Sequence, residues 1–63
     1  MYKRYWLAHY EKNGFSFPVF LYGTEQELWE YTKSEFGYQL GYRGATDEEV
    51  KAGRLLGMKF YLM

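Results

Sequence analysis

Few side chains in this chain of 63 residues could do chemistry on their own. His9 is the single histidine and the one general base of the usual kind near neutral pH. No Ser or Asp stands at a spacing that would complete a nucleophilic triad with it. Its ordinary role is that of a surface strand residue. Glu27 and Glu30 are three apart, which on a helix sets two carboxylates side by side, as a glycosidase or a metal site would require. The same spacing also describes a solvated acidic helix face. The glycine-containing runs "GYRG" and "GATDEE" match neither a phosphate loop nor a dinucleotide fingerprint, and their glycines suit turns. The chain has no cysteine, which removes disulfides and thiolate metal sites. These residues point to a protein that is not an enzyme and that needs no cofactor or metal.

The chain is rich in rings instead, with 2 Trp, 8 Tyr and 5 Phe. Each can bury on the order of 150–250 Å². They either build the core of a domain too short for a large one, or they cover a partner. Eight basic and eight acidic residues give zero formal charge. That balance argues against a strongly basic nucleic-acid binder and against an acidic mimic of DNA. No apolar run is long enough to span a membrane, and the start "MYKRYWLAHY" lacks the apolar core of a signal peptide. The expectation is one domain over residues 1–63 in the cytoplasm.

The elements that must hold these residues are marked by local signals. Asn13-Gly14 between two strand-like runs is a hairpin turn. Thr24 with Glu27, and Thr46 with Glu49, are two capping boxes that open helices. Gly37 and Gly57 suit helix ends. The pattern predicts strands over 2–11 and 15–22, a helix over 25–36, a strand over 38–43, a short helix over 47–55 and a strand over 58–63. The fold class is α+β with the order ββαβαβ: a small, mostly antiparallel sheet with one main and one short helix on one face. The second helix is the less secure element. Its interior Gly53 costs about 1 kcal/mol relative to Ala, and Val50, Leu55 and Leu56 form no clean stripe.

The run "FSFPVFLYG", residues 15–23, is apolar on both faces, and strand alternation divides it. Phe15, Phe17, Val19 and Leu21 share one face, expected under the helices. Ser16, Pro18, Phe20 and Tyr22 share the other. A two-residue turn pairs Tyr10 with Phe17 and Trp6 with Leu21. A three-residue loop would instead pair His9 with Phe17 and expose Trp6 and Tyr10. The first register agrees with the polarity of the first strand. In the last two strands, Tyr38, Leu40, Tyr42, Met58, Phe60 and Leu62 would face in. The uncovered face would then show Tyr5, Leu7, Phe20, Tyr22, Arg43, Lys59 and Tyr61, with Lys3 and His9 beside them. These are the expected partner-binding residues. Pro18 cannot donate to a ladder and marks a strand edge. Seven of the eight acidic residues (Glu25, Glu27, Glu30, Glu35, Asp47, Glu48 and Glu49) lie in the two helices, which gives the molecule an acidic helix side. Glu27 and Glu30 are a second candidate surface there.

An early "YW" strand, a hairpin into "SFPVFLY", and then "TEQELWEYTKSEF" and a further strand resemble, over residues 5–43, the small phage-encoded host-takeover proteins. In outline the chain is similar to the T7-type inhibitor of bacterial RNA polymerase, and anti-CRISPR proteins share this plan. The resemblance implies a small non-enzymatic protein that occupies a site on a large host complex and blocks it sterically. It also implies a role for basic residues on the strand after the helix, where Arg43 falls, together with acidic surface residues. The tail "GATDEEVKAGRLLGMKFYLM" has no counterpart in that family. Two other readings stand beside this one. Stacking rings flanked by Lys3, Arg43 and Lys59 would suit single-stranded nucleic acid. Pairing of two aromatic faces would make a homodimer.

Overall fold

A computed structural model describes residues 2–63. The elements follow the expected order: β1 (Arg4–Lys12), β2 (Phe15–Gly23), α1 (Glu25–Phe36), β3 (Gly41–Gly44), α2 (Asp47–Leu55) and β4 (Phe60–Leu62). They make one α+β domain with a single four-stranded sheet in the order β3-β1-β2-β4. The β1–β2 and β1–β3 pairs are antiparallel and β2–β4 is parallel, so the sheet is mixed.

The hairpin forms as its turn chemistry dictates. Asn13 and Gly14 take φ of 53° and 81°, the left-handed pair that matches the twist of the flanking strands. Lys12 then opposes Phe15, Tyr10 opposes Phe17, Ala8 opposes Val19 and Trp6 opposes Leu21. This is the two-residue register, and it fixes every side chain's face.

Both helices begin at capping boxes. The Thr24 and Thr46 hydroxyls accept from the amides of Glu27 and Glu49, and each Glu carboxylate accepts from its Thr amide. α1 ends where Gly37 caps it with a bond to the Lys33 carbonyl. The second helix is complete over nine residues. It closes with Gly57 and Met58 donating to Arg54 and Gly53, the paired bonds of a left-handed glycine cap.

α1 covers the face expected of it. Leu28 packs with Ala8, Val19, Leu21 and Leu40, and Trp6, Tyr10, Tyr31, Phe36 and Tyr42 surround them. The ring heads are satisfied. Trp6 Nε1 donates to the Gly23 carbonyl at 3.0 Å, Trp29 Nε1 donates to the Tyr42 hydroxyl at 3.0 Å, and that hydroxyl donates to Glu25 at 2.8 Å.

α2 does not join α1; it lies on the opposite face of the sheet. Leu7, Phe20 and Val50 form a second buried cluster, with Tyr5, Ala45, Met58 and Phe60 against it. Phe20 is only 2% exposed. Its ring stacks on Phe60 at 4.6 Å and 8°. The reason α2 fits there is the residue that weakened its sequence signal. A Cβ on Gly53 would sit 2.5 Å from the Phe20 ring, so only glycine lets the helix backbone lie on that ring.

The phase of β4 is also the reverse of that expected. Parallel pairing sets Phe60 beside Phe20 and Tyr61 beside Leu21. Phe60 therefore joins the α2 face and Tyr61 the α1 face, with its ring 6.2 Å from Tyr31. Leu62, expected inside, is 82% exposed. Both terminal strands are shorter than the alternation suggested. Tyr38 precedes β3 and is exposed, its hydroxyl bonded to the backbone of Glu11.

Gly53→Ala tests this packing. On helix propensity alone the change should add about 1 kcal/mol of stability. Against a stacked ring that cannot swing away, it should instead cost about 1–3 kcal/mol. Thermal unfolding should show a lowered Tm for Gly53→Ala. A raised Tm would mean that α2 does not rest on Phe20.

Candidate functional site

The residues expected to form an open aromatic face are largely used inside the chain. Leu7 and Phe20 are buried beneath α2. Tyr5 and Tyr22 are half-buried, with ring centroids 4.7 Å apart. The Tyr5 hydroxyl accepts from Arg54 at 2.7 Å, and the Arg54 guanidinium lies over the Tyr5 and Phe60 rings at 5.6 and 5.4 Å. Tyr61 faces α1. The platform on which bases were expected to stack is thus filled by the chain's own rings and by Arg54.

Arg43 is exposed but engaged: both terminal nitrogens of its guanidinium donate to the Glu49 carboxylate. That carboxylate also closes the α2 capping box through Thr46. One glutamate therefore ties β3 to the start of α2. The Arg43 hydrogen bonds first, and then the Thr46 amide, hold its pKa down from 4.5 to about 2.

Glu27 is held in the same way at the start of α1, its pKa lowered chiefly by the Thr24 amide. It is committed to the helix cap while Glu30 faces water, so the two carboxylates do not act as a matched pair. His9 is an exposed strand residue opposite Pro18 and Gly41. Among the described residues, no three acidic or histidine side chains converge to hold a metal. Among the described residues, no helix is long and apolar enough to cross a membrane.

One of the apolar surfaces left open lies at the other end of the hairpin, on the α1 face. Phe15 is 67% exposed and Phe17 48%, although both were expected in the core. β4 reaches only as far as Phe20, and α1 stops at Phe36, so neither covers this end. A cleft of about 470 Å³ opens there, lined by Tyr10, Phe17, Pro18, Val19, Phe36, Met58, Lys59 and Tyr61. Of the expected partner-binding residues, Lys59 and Tyr61 border this cleft. Tyr10, Phe17, Val19 and Met58 are the lining residues that the strand alternation turned inward. Their hydropathy gave no sign of the opening, because it arises from where two other elements end.

Fold and surface together define a class: a small α+β domain with a helix on each face of a hairpin-centred sheet and an apolar cleft at the hairpin's far end. Compared with known proteins, the chain matches no family model, no curated protein and no solved structure.

The Glu49 junction predicts how stability responds to acid. Its folded pKa, near 2, lies below its ordinary value of 4.5. The ionised form is therefore favoured by folding, and its contribution is complete above the ordinary value. It should be lost as pH falls from about 4.5 toward 2. Glu49→Gln keeps a capping oxygen but removes the charge. It should melt below the native chain at pH 7, with the gap closing by pH 2. A gap that stays constant with pH would show that the Arg43–Glu49 pair does not act through ionisation.

Proposed function

We propose that the protein is a non-enzymatic protein-binding module, an inhibitor or accessory factor that occupies a site on a larger complex and blocks it sterically. The observation that carries the reading is the pair of exposed rings, Phe15 and Phe17, beside an apolar cleft that Phe17 itself helps to line. In a chain this short, apolar surface left beside a formed cavity favours association. The resemblance to phage host-takeover and anti-CRISPR proteins supplies the class of partner, a bacterial host complex. Binding through the Phe15–Phe17 end replaces binding through Phe20 and Tyr22, which the fold needs for itself.

Substitution separates the two surfaces. Phe15→Asp and Phe17→Asp should lose the proteins that the native chain retains from a bacterial lysate, with stability changed by no more than about 1 kcal/mol. Phe20→Asp should fail to fold, since it would bury an unpaired carboxylate between Gly53 and Phe60. Retention unchanged in both Phe15→Asp and Phe17→Asp would sink the reading. Circular dichroism on the same samples reports folding.

A further inference from the structure

The free edge of β2 has a hydrogen-bonding pattern that the hairpin fixes. The Phe20 amide donates to the Lys59 carbonyl, and the Tyr22 carbonyl accepts from the Met63 amide. The backbone groups of even-numbered residues in β2 therefore point toward the β4 side, away from β1. β4 fills that side only from Lys59 onward. Below it, the Ser16 amide and carbonyl and the Pro18 carbonyl face a vacant strand position. This vacancy runs beside residues 15–18, about 14 Å of extended chain. Pro18 falls where a donor would otherwise point outward, so β1 loses no ladder bond to it.

The vacant position borders the apolar cleft, which lies on the face carrying Tyr10, Phe17, Val19 and Tyr61. Two exposed cations lie toward the hairpin end of that face. Lys12 stands opposite Phe15 at the hairpin end, and Lys59 lines the cleft. Both are exposed, and neither is in an ion pair among the described residues.

We propose that this edge receives an extended peptide segment of a partner protein by strand addition. The segment would pair its backbone with Ser16 and Pro18, seat one apolar side chain in the cleft, and carry acidic residues that meet Lys12 and Lys59. A second copy of this chain is the poorer occupant, because it would bring Lys12 and Lys59 against their own like charges. The proposal rests on the protein-binding reading and names the partner's conformation and charge.

The test is an amide NMR titration of the full chain with a capped heptapeptide of alternating Thr and Val, a central Phe and a Glu at each end. Saturable shifts should centre on Ser16, Phe17 and Lys59, and the Ser16 amide should gain protection from exchange. The same peptide with Lys at its ends should bind roughly fivefold or more weakly. Ser16→Pro removes the outward donor without touching a β1 bond and should abolish the Ser16-centred binding. The double change Lys12→Glu with Lys59→Glu should reverse the preference between the two peptides, which keeps the test decisive if Ser16→Pro does not fold.

Binding that Ser16→Pro leaves unchanged would overturn strand addition in favour of a pocket for apolar groups alone. So would the absence of shifts, or edge shifts that appear with protein concentration before any peptide is added. The broader reading falls separately, by unaltered lysate retention in the Phe15 and Phe17 variants.

Discussion

The constraint on which the rest depends is that the β1–β2 hairpin is apolar on both faces. Asn13-Gly14 fixes the register, the register fixes the faces, and each face then carries rings or aliphatic groups that water must not reach. One helix can dry only one face. A chain of 63 residues must therefore divide its two helices between opposite sides, although its cores are then small. Rings make this workable. Phe20 stacks on Phe60, and Tyr5 and Tyr10 pack tilted against Tyr22 and Phe36, so each contact buries a large apolar area.

The two faces are held by different means. On the α1 side, helix residues project into the sheet, and Leu28 and Thr32 are fully buried. On the α2 side, contact comes from Val50 and from the missing side chain of Gly53, so the helix is laid on a ring rather than interlocked with it. Such a helix needs anchorage at its ends. Glu49 binds Arg43 at one end, and Arg54 spans Tyr5 and Phe60 at the other. Of the basic residues expected on a binding surface, Arg43 is one of these anchors.

This explains what was legible in the sequence. Hairpin register and both helix starts were readable because they rest on local chemistry: a left-handed Asn-Gly pair and two Thr-x-x-Glu boxes. The side taken by α2 was not readable, because a glycine that matters for its lack of volume leaves no mark in hydropathy. The phase of β4 was not readable either. Tyr61 and Phe60 are both rings, and only the parallel pairing with β2 decides which goes to which face. The open surface was expected on the other face for a third reason. Phe15 and Phe17 look like core by alternation, and their exposure follows from the short reach of β4 and the end of α1 at Phe36.

An open strand edge beside exposed rings is ordinarily an aggregation hazard. Here the edge is tempered by position. Pro18 occupies one of the two outward donor sites between the turn and Phe20, so an incoming strand finds a donor only at Ser16. Lys59 lines the cleft beside it and Lys12 lies across β2 at the hairpin end, and under the strand-addition proposal these two charges disfavour a second copy and favour an acidic strand. Because the backbone supplies so few bonds, an added strand would depend on its side chains, one filling the cleft and others meeting the lysines. The same proline that weakens the edge for any strand thereby makes what remains of it selective.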